Sequence, residues 1–93
     1  MWYHASPRSD LHIIGIDPHA PPLISRLVQG FVYFGTMEYL KSQYFIYAPR
    51  QIYHIYEVNV DGLYTEQLME DQIRTPRFVE ADRVELIMSV DRT

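Results

Sequence analysis

Three short segments each carry one polar, chemically versatile side chain at the edge of an otherwise apolar run: Trp2-Tyr3-His4-Ala5-Ser6, Phe31-Val32-Tyr33-Phe34-Gly35-Thr36, and Tyr56-Glu57-Val58-Asn59-Val60-Asp61-Gly62-Leu63-Tyr64-Thr65-Glu66. Each reads as a strand that delivers one such group: His4, Tyr33, then a carboxylate near Glu66. An imidazole, a phenol and an acid arriving from three separate strands are the groups that hold a dinucleotide and steady a cationic sugar. A carboxylate fixed beside a sugar stabilises the positive charge that develops when a glycosidic bond breaks.

Each of these residues also has an ordinary structural reading. His4, beside Trp2 and Tyr3, can be a terminal-strand imidazole bonded to backbone, and Tyr33 lies in an aromatic run of the kind that is usually core. Glu66 stands on a polar stretch where an acid is usually solvated, and Asp61, Glu70 and Asp71 compete with it for the role.

Several chemistries are disfavoured by what the chain lacks. His12, His19 and His54 have no close helical spacing and there is no cysteine, so no metal is expected and neither a disulfide nor a thiol nucleophile exists. The glycines at 15, 30, 35 and 62 are isolated, against a Walker or Rossmann phosphate loop. No serine sits in a nucleophile elbow. A net charge of -4, from 8 Lys plus Arg against 12 Asp plus Glu, lacks the basic footprint that dominates phosphate-backbone affinity and so disfavours nucleic acid, leaving room for a local basic patch. Arg8 follows Pro7 close to His4, and Arg74 and Arg77 flank Pro76; a guanidinium there can meet a pyrophosphate bidentately. Ion pairing of the latter two with Glu80 or Asp82 fits equally well.

The elements that must position these groups follow from the same pattern. With 93 residues the chain allows a single domain, 1–93, which hides about 60 to 65% of its surface on folding. Its composition, 47% hydrophobic and 22% charged, is globular, and 8 tyrosines suit rings that are half-buried with the hydroxyl outward. Strands are expected over Met1 to Ala5, Phe31 to Phe34, Gln51 to Val60 and Arg83 to Val90, with an extended stretch from Arg74 to Phe78. Val84, Leu86, Met88 and Val90 alternate with Glu85, Ile87 and Ser89 in the last of these. Leu11 to Ile16 is an apolar run ending in the Asp17-Pro18 and Pro21-Pro22 region. Leu23 to Val28 fits one or two helical turns stopped by Gln29-Gly30. Thr36 is placed to cap a helix from Met37 to about Tyr47, with Met37, Leu40, Tyr44 and Tyr47 as its sheet-facing stripe. Leu63 to Gln72 is ambiguous and tolerates a helical turn. The sum is an α+β domain. No signal peptide or run of about 18 apolar residues is present, so a soluble, cytoplasmic protein with no membrane association is expected.

In order, Tyr3-His4-Ala5-Ser6, then Val32-Tyr33-Phe34 leading into a helix, then Ile52 to Val60 with Asp61-Gly62 and an acid after it, then Ile73-Arg74-Thr75-Pro76 before Val84-Glu85-Leu86-Ile87, resemble the ADP-ribosyltransferase fold. The match is to most of the chain and is nearest to the small rifamycin-modifying branch, with its His, Tyr and acid. The motifs are short, the chain is shorter than those enzymes, and proline is frequent between Tyr3 and Tyr33. The resemblance implies a small split β-sheet or β-sandwich, with one or two short helices, clamping the nicotinamide end of NAD. His4 would bond ribose hydroxyls with Ser6 near the nicotinamide amide, Tyr33 would stack on the nicotinamide ring, and Glu66 would engage the ribose at the scissile bond. Arg8 and Arg74 are the candidate pyrophosphate contacts.

Two functions fit. One is an NAD-dependent ADP-ribosyltransferase acting on a small-molecule, protein or nucleic-acid acceptor, with His4, Tyr33 and Glu66 catalytic. The other is a non-catalytic binding or inhibitory module of the same fold that uses its tyrosines against a protein partner. A toxin or an antagonist of host defence is a natural setting for either.

Overall fold

Alternation of apolar with polar residues, punctuated by Pro and Gly, cuts this chain into strands too short to bury a core singly, and the sheet they form is covered on both faces. The computed structural model describes residues 1–19 and 30–93. The helical turns expected over 23–28 and their stop at Gln29 lie outside the described residues. Strands β1 (Trp2–Ser6), β2 (Val32–Gly35), β3 (Ile52–Val58), β4 (Glu66–Met69), β5 (Gln72–Thr75) and β6 (Val84–Asp91) form one sheet in the order β4-β5-β2-β1-β3-β6. Every paired neighbour is antiparallel. Among the described residues this is an α+β architecture, and no helix there is long and apolar enough to cross a membrane.

The period-two rule sends successive side chains to opposite faces, and β3 shows why both faces are apolar. Tyr56 and Val58 join Val32, Phe34, Ile73, Val84 and the residues Leu11, Ile16 and Val79 in one core. Tyr53 and Ile55 join Ala5, Leu40 and Phe45 in the other. Burial of each such aliphatic or aromatic side chain is worth about 1.5–3 kcal/mol. Tyr53 and Tyr56 are both fully buried, and each hydroxyl is satisfied by donating to a backbone carbonyl, that of Pro49 at 2.6 Å and that of Arg8, respectively.

The apolar run that starts at Leu11 opens as one helical turn, α1 (Leu11–Ile14); Gly15 N–H closes it on the Leu11 carbonyl at 2.8 Å. Thr36 accepts the Tyr39 N–H on its Oγ1 at 3.1 Å and so caps a continuous helical run: α2 (Met37–Tyr39), a wider π-helical turn (Leu40–Tyr44) and α3 (Phe45–Tyr47). That wide turn corrects the expected stripe. Its i→i+5 geometry turns the chain less per residue, which swings Phe45 onto the sheet and leaves Tyr47 80% exposed.

The expected alternation of the last strand is corrected in the same way. A register shift opposite Ile55/Tyr56 leaves Ile87 unpaired, so Val84 and Leu86 share the face of Val58 and Tyr56 while Met88 and Val90 share that of Ile55 and Tyr53. The ambiguous 63–72 stretch is resolved as β4, hydrogen-bonded to β5 rather than helical.

Candidate functional site

The sheet is forked between its two central strands. β1 is paired with β3 along its whole length, Trp2↔Val58 through Ser6↔His54, yet with β2 at Tyr3↔Gly35 alone. Gly35 is needed there: a Cβ at that position would lie 2.5 Å from the Tyr39 ring, which rests on the strand. Beyond that pair the strands part, and a cleft of about 570 Å³ opens between Tyr3–Arg8 on one side and Phe31–Gly35 on the other. Its size is within the range of small-molecule and cofactor sites, and its lining is mainly apolar with a few polar groups.

His4 closes the inner end of the fork. The register set by Tyr3↔Gly35 puts His4 opposite Phe34, whose ring it meets edge-on at 6.3 Å. Its Nδ1 lies 2.9 Å from the Tyr33 carbonyl oxygen. A carbonyl only accepts, so Nδ1 carries the hydrogen and Nε2 is left with its lone pair as an acceptor. Burial holds the imidazole pKa below 6.5, against the smaller upward pull of that carbonyl bond. The ring is therefore neutral at pH 7.

Tyr33 leaves the sheet on the opposite face and reaches the same cleft because the opening runs between the strands. It is cross-strand from Arg74, and Arg74 is cross-strand from Glu66, so the three stand in a row over β2, β5 and β4. Arg74 Nε donates to Glu66 Oε1 at 2.7 Å, and its guanidinium lies 4.0 Å over the Phe31 ring. Phe31 in turn meets Tyr33 edge to face at 6.2 Å. The Glu66 bond first, and the Tyr33 hydroxyl second, hold the Arg74 pKa above its ordinary value.

Of the residues singled out by sequence, the structure brings His4, Ser6, Arg8 and Tyr33 to one cleft. Ser6 is buried, and its Oγ accepts the Arg8 N–H at 3.1 Å, which leaves its hydroxyl hydrogen free to donate. Arg8 is spanned by Asp10 through two bonds, 2.9 Å from Nε and 2.8 Å from a terminal nitrogen. Arg74 and Glu66 stand behind Phe31 and Tyr33 and do not line the cleft. The partner of Arg74 is Glu66 across the β4–β5 ladder, not Glu80 or Asp82, because cross-strand neighbours share a face. Asp61 and Glu70 are exposed in turns, and Asp71 lines a neighbouring groove with Tyr47 and Met69 that shares Tyr39 and Gln72 with the cleft.

The sequence reading passed over Asp17, Phe31, Tyr39, Tyr44 and Gln72, all of which line the cleft. Burial pushes the Tyr44 phenol well above its ordinary pKa, with smaller effects from Tyr53 and Tyr39, so it is a neutral hydrogen-bonding group. The Asp17-Pro18 step marks a turn in sequence but carries no signal that the turn faces β1. Comparison with protein-family models, with curated proteins and with solved structures finds no match to this chain.

Proposed function

We propose that this chain is an NAD-dependent ADP-ribosyltransferase of the split-sheet type, acting in the cytoplasm on a small-molecule, protein or nucleic-acid acceptor. The observation that carries the reading is the fork itself: His4 and Tyr33, from two central strands, line one cleft of about 570 Å³. A neutral imidazole with Nε2 as acceptor suits a ribose hydroxyl. The Ser6 hydroxyl suits the nicotinamide amide, and the Tyr33 and Phe31 rings suit the planar pyridinium. Arg8, which lines the cleft, supplies a guanidinium toward the pyrophosphate in exchange for its present carboxylate partner Asp10.

In the reaction the C1′–N1 bond breaks with its electron pair passing to the pyridinium nitrogen, releasing neutral nicotinamide. The acceptor then bonds C1′ and gives its proton to water. Binding energy along the dinucleotide orients the sugar for that step. Incubation with NAD followed by chromatographic detection of nicotinamide is the direct test. Release that is lost in both His4→Ala and Tyr33→Ala supports transfer; no rise in melting temperature at millimolar NAD overturns it.

A second reading has a specific observation in its favour. Glu66, the acid that the family pattern assigns to the ribose, is engaged by Arg74 outside the cleft. A non-catalytic binding or inhibitory module, holding a nucleotide or a protein partner without cleaving anything, would tolerate that arrangement. NAD binding without nicotinamide release separates it from the first reading.

A further inference from the structure

We infer that Asp17 is the carboxylate that faces the reacting ribose, an assignment that rests on the ADP-ribosyl-transfer reading above. Among the described residues it is the one Asp or Glu that lines the β1–β2 cleft. The four acids expected after β3 do not reach it. Asp71, just before β5, lines the neighbouring groove and not the cleft, and Glu66 stands on β4, three strand spacings from β1, about 14 Å. Both of its oxygens are also occupied, Oε1 by Arg74 Nε at 2.7 Å and Oε2 by the Tyr64 hydroxyl at 3.3 Å.

Asp17 is held in place from both sides. Ile16 and Val79 exchange backbone bonds of 2.9 and 3.0 Å, and the Pro18 carbonyl accepts the Gly30 N–H at 2.7 Å. Gly15 makes this path available: its φ of +83° favours glycine, and a Cβ there would lie 2.6 Å from the Val79 carbonyl oxygen. The Asp17 carboxylate uses Oδ1 to accept the His19 N–H at 2.8 Å, which leaves Oδ2 for a ligand. Its side chain is exposed at the mouth of an otherwise largely apolar opening. An anion in that setting attracts a sugar whose C1′ and ring oxygen gain positive charge as the bond to nicotinamide lengthens. It gains more in the transition state than with the bound substrate, where the positive charge resides on the pyridinium. No proton moves to or from Asp17 in this step; the acceptor's proton goes to water.

The full chain carrying Asp17→Asn tests the assignment, with Glu66→Gln beside it. Asparagine keeps an oxygen for the His19 N–H and removes only the charge. The expected result for Asp17→Asn is an NAD-induced melting shift close to that of the wild type with nicotinamide release slowed about 100-fold or more, seen in kcat rather than KM. Glu66→Gln is expected to stay within about threefold of the wild-type rate, the effect of removing an ion pair outside the cleft. Wild-type turnover that survives intact in Asp17→Asn overturns the assignment alone. If the wild-type chain itself neither binds nor cleaves NAD, the transferase reading falls and the assignment falls with it.

Discussion

Replacing His4 by asparagine separates what the imidazole does for the fold from what it would do for a ligand. An asparagine side-chain nitrogen occupies nearly the position of Nδ1, so the bond to the Tyr33 carbonyl, 2.9 Å in the native chain, can be kept while the Nε2 acceptor is removed. With NAD at ten times its Kd, ligand stabilisation is RT ln 11, about 1.4 kcal/mol. In a domain of this size that raises Tm by about 6–11 °C. A hydrogen bond to the ligand is worth about 0.5–1.5 kcal/mol, with the upper end favoured in a largely apolar cleft. At the upper end Kd rises about tenfold, the same NAD concentration merely equals Kd, and the stabilisation drops to RT ln 2, about 0.4 kcal/mol or about 2–3 °C. The assay is differential scanning fluorimetry with and without NAD. His4→Gln is the converse control: its amide reaches toward the Nε2 position and leaves the Tyr33 carbonyl without its donor, which costs the unliganded protein about 1–3 kcal/mol. A full NAD shift in His4→Asn, with unliganded Tm near wild type, would refute the assignment of Nε2 to the ribose.

Three further outcomes follow from the same geometry. Because burial lowers the His4 pKa below 6.5, the unfolded chain binds a proton that the folded chain refuses as pH falls from 6.5 toward the folded value. Stability therefore falls with pH across that window; Tm measured against pH should show the loss in wild type and a flatter profile in His4→Asn. Gly15→Ala meets both the positive φ of +83° and the Phe78 ring carbon and Val79 oxygen at 2.5 and 2.6 Å. It should cost about 1–3 kcal/mol in urea unfolding, and a loss below about 0.5 kcal/mol contradicts the packing described for the Ile16–Val79 bridge. The Arg74–Glu66 pair, whose side chains are 31% and 33% exposed, is open enough to solvent that a double-mutant cycle should return about 0.2–1 kcal/mol, shrinking at high salt. A coupling above about 2 kcal/mol would mean that the pair behaves as a buried one.

Periodicity made most strands legible because each has one or two consistently apolar faces: β3 was readable from Ile52 to Val58 and β6 from Val84 onward. What was not legible depended on one-residue slips. The extra residue at Ile87 and the wide turn at Leu40–Tyr44 each rotate everything after them, and neither leaves a mark in composition. The short β4 was hidden for a different reason. Glu66, Gln67, Leu68 and Met69 are all partly or fully exposed on an edge strand, so burial imposed no alternation. The site divides along the same line. His4 and Tyr33 stand on central strands whose pattern places them, whereas Asp17 reaches the cleft through the long-range bridge of its neighbour Ile16 to Val79, 63 positions apart by their numbers.

The fork explains why a small sheet can hold a cleft at all. A sheet zipped along every strand has no opening in its plane. Parting β1 from β2 beyond Tyr3 creates the opening at the centre, where β3 and β5 still hold the outer flanks of the two strands through complete ladders. The separation costs ladder bonds, and a part-buried carbonyl left unmatched is costly. His4 offsets part of that cost by giving its Nδ1 hydrogen to the Tyr33 carbonyl, so one residue both props the fork open and leaves an acceptor inside it. Structural and functional readings of His4 are therefore the two nitrogens of a single ring. A substitution that spares one nitrogen and removes the other can separate them.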